Sequence, residues 1–458
     1  MERRNAWKSY NKKEEKELEQ LCKGYRDFLD HGKTERECVT YIVDMAKKAG
    51  YVDFEEVVKT GKTLKTGDKV YVVNMKKAIA LFQIGKKPLT EGMNILGAHI
   101  DSPRMDVKQN PLYEDTELAY LDTHYYGGIK KYQWVTLPLA IHGVVAKKNG
   151  EVIDIVIGED EKDPVFCVTD LLIHLAGEQM DKKAAKVVEG EQLDILIGSK
   201  PLPKEEKEPV KKMILSILKK KYDMEEEDFL SAELEIVPAG KAKNAGLDES
   251  MIMGYGQDDR VCSYTSAVAL FEMGELERTA CCLLVDKEEI GSVGATGMQS
   301  KFFENTVAEI MDNMGQYSEL KLKKCLAKCD MLSSDVSAAY DPSFASAFEK
   351  KNCAYFGRGV VFNKFTGARG KSGSNDANAE YIGKLRKIMD DNNVAFQTAE
   401  LGKVDVGGGG TIAYIPAEYG MDVIDLGVAI LNMHAPYEIS SKVDVYETTK
   451  CYKAFYEM

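Results

Sequence analysis

The chain has 458 residues, of which 44% are hydrophobic and 29% charged, and its formal net charge is −13 at pH 7. This composition is typical of a globular protein with room for two domains, and the negative charge disfavours nucleic-acid binding, which needs a basic surface. The sequence lacks an apolar stretch long enough for a membrane span or a signal-peptide core, and its ten cysteines are scattered without zinc-ribbon spacing. We therefore expect a cytoplasmic protein with reduced thiols that binds neither nucleic acid nor membrane.

The first hundred residues predict helices followed by strands. Apolar residues recur at helical spacing over Leu18–Leu29 and over Cys38–Ala46, which places His31 in a loop between two helices. A hairpin-like pair of strands is predicted within Val70–Ile84. The short apolar run Asn94–Ala98 is typical of a buried strand.

The middle of the chain differs from both ends. Short strands such as Val152–Ile157 alternate with turns, and one charged helix is predicted near Val210–Lys221. We interpret residues 108–240 as a β-rich insertion that divides a main domain formed by residues 1–107 and 241–458.

The last two hundred residues alternate between helices and strands. The pattern predicts elements in the order helix Asp258–Phe271, strand Ala280–Val285, helix Asn378–Met389, strand Val423–Leu426 and a final helix from Val445. Such alternation is typical of an α/β fold with a mixed, mainly parallel sheet sandwiched by helices.

One histidine stands beside a carboxylate at the end of a predicted strand, in Gly97-Ala98-His99-Ile100-Asp101. Residues two apart in a strand point to the same side. His99 could thus bind a metal through one nitrogen while Asp101 accepts a hydrogen bond from the other. The alternative for this short motif is a histidine that merely ends a strand.

Two adjacent glutamates, Glu288 and Glu289, follow the predicted strand that ends at Val285. Adjacent side chains diverge, so one could bind a metal while the other serves as a general base. The alternative is an exposed acidic turn.

A pair of aspartates, Asp258 and Asp259, precedes an apolar helix. Aspartate is favoured at helix N-caps, so helix capping is the simple interpretation of this pair. Metal ligation becomes attractive only in combination with the other motifs.

Two further motifs, Ser334-Asp335 and Met433-His434, also follow apolar stretches. The combined set of histidines, aspartates and glutamates suits a pair of borderline divalent ions. The carboxyl edge of an α/β sheet is where this architecture places its active sites. A carboxylate shared by both ions would hold them about 3.5–4 Å apart.

The ordered set of motifs resembles the aspartyl aminopeptidase family of two-metal aminopeptidases. The matching segments, in the family's order, are Ala98–Arg104, Tyr126–Gly128, Gln257–Arg260, Asp286–Ser292, Ser334–Asp335 and Met433–His434.

The resemblance implies a role for several residues of these motifs. Glu288 is implied as the general base, Asp101 as the partner of His99, and Asp258 as the bridge between two metal ions. We expect these ions to be zinc, although the same ligands would also suit cobalt or manganese. The implied metal ligands are His99, Asp258, Glu289, Asp335 and His434.

The resemblance also implies a homo-oligomer, since family members form tetrahedral dodecamers through their β-rich domain. Residues 170–175 of the insertion look like the family segment whose histidine reaches a neighbouring subunit's active site. His174 is therefore a candidate substrate-binding residue, and the alternative is a packed core histidine.

Two segments depart from the family pattern. Residues 335–342 lack the histidines common after the ligand aspartate, and the segment around Lys371 is also altered. Both changes concern the substrate-facing shell, so the preference for acidic N-terminal residues stays open.

We therefore predict a metal-dependent aminopeptidase that removes the N-terminal residue from peptides. The alternatives are a related metallohydrolase, such as a carboxypeptidase or an N-acyl amino acid deacylase, and a catalytically silent shell protein. Serine-hydrolase, P-loop and dinucleotide-binding motifs are absent from the sequence, and the glycine-rich run 407–410 has none of their spacings.

Overall fold

A computed structural model describes residues 3–458 of the chain. The chain divides into two compact units. The first comprises the chain up to Asp101 together with Ala242–Met433 and Glu438–Met458, and the second comprises Ser102–Lys241 with the short segment His434–Tyr437. The domain boundaries predicted from the sequence, at residues 107/108 and 240/241, stay a prediction. The role of the insertion in assembly also stays a prediction.

Strands provide the framework of both units. Most are short, and the two longest belong to the second unit. In chain order they are β1 (Val52–Asp53), β2 (Lys69–Asn74), β3 (Ala78–Gln83), β4 (Met93–His99), β5 (Arg104–Asp115), β6 (Leu118–Tyr126), β7 (Leu139–Ala146), β8 (Val152–Ile157), β9 (Cys167–Val168), β10 (Ile195–Gly198), β11 (Ala232–Pro238), β12 (Lys243–Ala245), β13 (Met251–Gly254), β14 (Thr279–Val285), β15 (Asp330–Ser334), β16 (Ser337–Ala338), β17 (Val360–Asn363), β18 (Phe396–Thr398), β19 (Asp422–Gly427), β20 (Ala429–Leu431) and β21 (Glu438–Ser441).

Helices are concentrated in the first unit. The first two of them begin with a capping box: the side chain of the N-cap residue, Asn11 or Thr34, accepts the backbone N–H of the third helical residue, whose side chain accepts the N-cap N–H. In chain order the helices are α1 (Lys12–His31), α2 (Glu35–Lys48), α3 (Phe54–Lys59), α4 (Gly177–Met180), α5 (Pro209–Tyr222), α6 (Gln257–Phe271), α7 (Phe302–Asn313), α8 (Glu319–Ala327), α9 (Ala379–Asp391), α10 (Tyr414–Ala417) and α11 (Lys442–Tyr456).

The first unit is built on a sheet with the strand order β1-β2-β3-β14-β4-β15-β19-β17-β18. The four adjacent strands β14, β4, β15 and β19 run parallel, whereas β3 pairs antiparallel with β14, and β17 pairs antiparallel with β19. Alternate residues of β4 enter two hydrophobic clusters: Leu96 and Ala98 pack with α1, α6 and α11, and Met93 and Ile95 pack with α7 and α8. This confirms the predicted α/β class with a mixed, mainly parallel sheet between helices.

A second, five-stranded sheet of the first unit has the order β12-β13-β21-β20-β16. It matters for function because β13 ends just before α6, and β21 pairs with β13 so that Glu438 lies opposite Gly254. The start of α6, with Asp258, is thereby placed against β21.

The second unit is a seven-stranded antiparallel sheet with the order β8-β7-β11-β5-β6-β10-β9, and α5 packs on strands β5, β6 and β10. The expectation of only short strands here was wrong for β5 and β6. Their hairpin carries many charged and polar residues, such as Lys108 and Asp122, so it lacks the apolar alternation that identifies a strand.

The predicted loop position of His31 is also wrong. This histidine is the last residue of α1 rather than part of a loop, and its Nδ1 lies 2.8 Å from the carbonyl oxygen of Asp27 one turn earlier. Within residues 3–458, none of the helices is both long enough and apolar enough to cross a membrane.

Candidate active site

The candidate site lies at the carboxyl edge of the large sheet of the first unit. Strands β14, β4 and β15 are parallel neighbours, so their ends meet at one edge. His99 is the last residue of β4, Glu288 follows the end of β14, and Asp335 follows the end of β15. Separate sequence motifs are thereby gathered into one cluster.

His99 is the centre of this cluster and is 1% exposed. Its Nδ1 atom lies 3.2 Å from Asp101 Oδ1 and 3.0 Å from the Asp101 carbonyl oxygen. Its Nε2 atom lies 3.3 Å from Asp258 Oδ1, 3.8 Å from Glu288 Oε2 and 3.9 Å from Asp335 Oδ1. One ring nitrogen is therefore held by Asp101 while the other faces three carboxylates.

Asp101 has a second task that its sequence motif does not reveal. The backbone N–H groups of Glu288 and Glu289 donate to its two carboxylate oxygens at 3.2 and 3.1 Å. Asp101 is fully buried, so these bonds are shielded from water. The same carboxylate thus orients His99 and fixes the turn that carries both glutamates.

The turn carrying the two glutamates is a 3₁₀ helix over Glu288–Ile290, preceded by Lys287 in the left-handed conformation, with φ of 68°. Buried Asp286 holds the base of this loop, because the Thr296 hydroxyl donates to its Oδ2 atom at 2.5 Å and Lys287 Nζ lies 3.1 Å from the same atom. The glutamates are therefore presented by a braced loop rather than by an exposed acidic turn.

Asp258 and Asp259 lie at the start of α6 with non-helical backbone angles, ψ of 109° and 29°, so the regular helical turns begin after them. That one of them caps those turns stays a prediction. The Asp258 N–H donates to Glu438 Oε2 at 3.0 Å, and the His99 N–H points to Asp259 Oδ2 at 3.4 Å. Both aspartates are thus engaged in building the cluster.

The cluster has an excess of buried carboxylates, which a bound cation would compensate. Burial raises the pKa of Asp335 well above its ordinary value, and the neighbouring Asp259 carboxylate raises it further. Burial lowers the pKa of His99, but hydrogen bonds to Asp101 and Asp258 outweigh it and leave that pKa well above its ordinary value. One histidine cannot balance this many buried carboxylates, whereas divalent ions can.

The donor geometry fits metal binding. The ligand atoms of His99, Glu288 and Glu289 lie within 4.8 Å of one another, and so do those of His99, Asp258 and Asp335. Imidazole nitrogen and carboxylate oxygen are a donor set that suits zinc. The residues present therefore fit the expected metal centre.

Two predicted site residues belong to the second unit. His434 has a positive φ of 65°, and its Nδ1 atom lies 2.9 Å from the carbonyl oxygen of Gly128, which leaves Nε2 as its possible ligand atom. His174 lies in the short 3₁₀ helix Ile173–Leu175 and is exposed, so the alternative of a packed core histidine is wrong. The functional roles of both stay predictions.

Two further residues position the cluster, and neither belongs to a predicted site motif. Glu438, which is 1% exposed, receives the Asp258 N–H, and the hydroxyl of Ser263 donates to the His99 carbonyl at 2.6 Å. Glu438 had one detectable signal, namely its position four residues after His434 at the start of a strand. Ser263 had none, because it lies within an apolar helix like any small residue.

Comparisons with known proteins agree on one family. Residues 28–456 match the family described as aminopeptidase I zinc metalloprotease (M18). A probable M18 family aminopeptidase 1 from Clostridium acetobutylicum is 63% identical over 455 residues, which is 99% of this chain and 98% of the relative.

Solved structures give the same result. The crystal structure of an M18 family aminopeptidase from Thermotoga maritima has a TM-score of 0.95 at 44% identity, covering 100% of this chain and 99% of that one. The structure of the mApe1 dodecamer of S. cerevisiae shares the fold with a TM-score of 0.75 at 19% identity, covering 95% and 96% of the two chains.

Proposed function

Because the chain belongs to the M18 family of zinc metalloproteases, we propose that the cluster around His99 is the active centre of an aminopeptidase that uses two metal ions. Membership of the family confirms the predicted class of enzyme, a metal-dependent aminopeptidase, over the carboxypeptidase and deacylase alternatives. The observation that carries the site assignment is His99 Nε2, which lies 3.3–3.9 Å from Asp258, Glu288 and Asp335.

The proposed metal ligands are those that the sequence nominated. Asp258 and His99 are the most buried of them, with 3% and 1% exposure, and Asp258 would be the carboxylate shared by both ions. Two bound zinc ions would lower the pKa of a coordinated water and would polarise the scissile carbonyl group. The full ligand set is His99, Asp258, Glu289, Asp335 and His434.

Glu288 is the proposed general base. Its side chain is 15% exposed, so one carboxylate oxygen can face the cluster while water and substrate still reach it. Glu288 takes a proton from the attacking water and later delivers it to the leaving amine. Asp101 keeps both participants in place, because it holds the ring of His99 and the backbone of Glu288.

The restriction to a free N-terminus follows from the need to hold an α-amine. One of the ions, or a carboxylate beside them, would hold that amine, whereas an N-acylated substrate has no free amine to offer. The residue preferred at that position is open, since the segments that depart from the family pattern include the one around Lys371.

We also propose that the protein works as a homo-oligomer in the cytoplasm, with a tetrahedral dodecamer as the expected assembly. The second unit supports this proposal with exposed apolar side chains beside His174: Leu172, Ile173 and Leu175 are 57%, 65% and 70% exposed. Ten free cysteines fit a reducing compartment. In such an assembly His174 would contact substrate in a neighbouring subunit.

A panel of aminoacyl chromogenic substrates tests the proposed function. Acidic, basic and neutral N-terminal residues are compared with their N-acetylated forms, before and after chelation and with zinc, cobalt or manganese added back. We expect chelator-sensitive release from the free-amine substrates alone, restored by metal. Release from the N-acetylated forms, or no release with any metal, would contradict the proposal.

A further inference from the structure

A buried carboxyl group lies beneath the candidate site and has no part in the mechanism above. Asp425 is in the middle of β19 and is 1% exposed. In the sheet it lies beside Ser333 of β15, and Ser333 lies beside Gly97 of β4. These three residues form one row across the central strands.

This row lies next to the row that carries the metal-site residues. His99 follows Gly97 by two positions, and Asp335 follows Ser333 by two positions. Residues two apart in a strand share a face and lie about 6.6–7 Å apart. Asp425 is therefore on the same face as His99 and Asp335, one step further from the sheet edge.

Asp425 is tied to the glycine-rich segment 407–410. The hydroxyl of Thr411, the next residue, donates to Asp425 Oδ1 at 2.5 Å. Ile412 then packs over β4, since a Cβ added to Gly97 would lie 3.2 Å from Ile412 Cδ1. Thr411 and Ile412 thus fix the end of the segment to the face that carries the site.

The segment 407–410 is itself closely packed on one side and open on the other. Gly408 has a φ of 124°, and a Cβ there would lie 2.5 Å from the Cα of Ala368. The N–H of Gly409 donates to the carbonyl of Thr366 at 3.0 Å, while Gly408 and Gly410 are exposed. Such an arrangement lets backbone approach a ligand closely.

We propose that Asp425 is a positioning residue that, through the Thr411 hydroxyl, holds the glycine-rich segment 407–410 where it contacts the N-terminal residue of the peptide substrate. The inference rests on the proposed aminopeptidase function. Burial raises the pKa of Asp425 to about 7, and the Thr411 hydroxyl opposes that rise. The bond can therefore form with either protonation state of the carboxyl group, because each has an oxygen that accepts it.

Thr411→Val tests the link, since valine keeps the shape of threonine and removes the hydroxyl. We expect KM for a preferred aminoacyl substrate to rise about tenfold with kcat within about twofold of wild type, the cost of one hydrogen bond that shapes binding. Thr411→Ser, which keeps the hydroxyl, should restore a KM close to wild type. Zinc content should be unchanged in both variants.

The matched control is Thr449→Val in α11, where a buried threonine hydroxyl donates to the carbonyl of Val445 at 3.1 Å. It should leave KM unchanged. An unchanged KM in Thr411→Val, or the same rise in Thr449→Val, would overturn the inference while leaving the aminopeptidase function intact.

Amide hydrogen exchange gives a readout that needs no activity. Exchange in residues 407–412 should become faster in Thr411→Val and stay unchanged in Thr449→Val. Equal protection of the segment in both variants would overturn the positioning role, even if the proposed activity itself were absent.

Discussion

The two units of the molecule differ in how their buried charged side chains are compensated. In the first, His99 faces the carboxylates of Asp258, Glu288 and Asp335 with one nitrogen while the other is held by Asp101. A cluster of this kind is costly to bury without cations. We therefore propose that bound metal completes it.

In the second unit, buried charges are paired within the protein. Arg104 Nε lies 2.8 Å from Asp106 and 3.2 Å from Glu235, and His142 Nε2 lies 3.0 Å from Glu159. What this unit leaves unmatched is apolar surface around Leu175. We propose that uncompensated charge marks the reaction centre, and that the neighbouring uncovered apolar side chains Leu172, Ile173 and Leu175 mark the assembly surface.

The largest effect is expected from Glu288→Gln. The variant keeps the shape of the side chain but cannot take a proton, so kcat should fall about a thousandfold while zinc stays bound. Steady-state kinetics and metal analysis measure the two quantities. Glu319→Gln, on the exposed face of α8, is the control and should behave as wild type. A Glu288→Gln enzyme with near-normal turnover would remove Glu288 from the role of base.

A smaller loss is expected from Asp101→Asn. Asparagine cannot accept both N–H bonds of the glutamate turn or stabilise the ring of His99 as a carboxylate does. Zinc affinity or activity should fall about 10–100-fold, as is usual for partners of ligating histidines. Asp106→Asn in the second unit, beside Arg104, should leave zinc affinity unchanged. An equal loss of zinc affinity in Asp101→Asn and Asp106→Asn would contradict the proposed difference between the two units.

The second unit is tested by Leu175→Ser. This side chain is 70% exposed, so its loss should not disturb folding of the single chain but should weaken self-association. Light scattering after size exclusion should show smaller species with unchanged zinc content. Leu320→Ser, at a 63% exposed leucine of α8, is the control. If neither variant changes the mass, the assigned assembly surface is wrong.

The last prediction concerns stability rather than activity, at a buried carboxyl group outside the candidate site. Asp444 accepts the N–H groups of Gly357 and Gly359 at 2.8 and 2.7 Å, and burial raises its pKa to about 7. Between pH 4 and 7 the native state therefore holds a proton that the unfolded chain has released, so this group lowers stability as pH rises.

Asp444→Asn should remove that dependence. The free energy of unfolding of the variant, measured by denaturant titration, should fall less steeply between pH 4 and 7 than that of wild type. The two slopes should differ by up to about 1.4 kcal/mol per pH unit. Asp248→Asn, at an exposed aspartate, should keep the wild-type slope. Parallel slopes for wild type and Asp444→Asn would show that the carboxyl group titrates normally.

The sequence revealed the ends of the central strands better than the contacts between them. The strands that carry His99 and Glu288 were predicted because they are continuous apolar runs followed by polar residues. Asp101 was correctly paired with His99, but its bonds to Glu288 and Glu289 arise from the folded turn and have no local signature. Glu438 and Asp425 were missed because their roles depend on the strands beside them, which only the sheet order defines.

The most direct test of the two-metal centre is zinc titration of the metal-depleted enzyme with amino-acid release and bound zinc measured together. Activity should rise with bound zinc and level off at about two ions per chain, and Asp258→Asn should bind less zinc and recover no activity. Full activity without metal, or saturation by zinc with no gain in activity, would contradict the account.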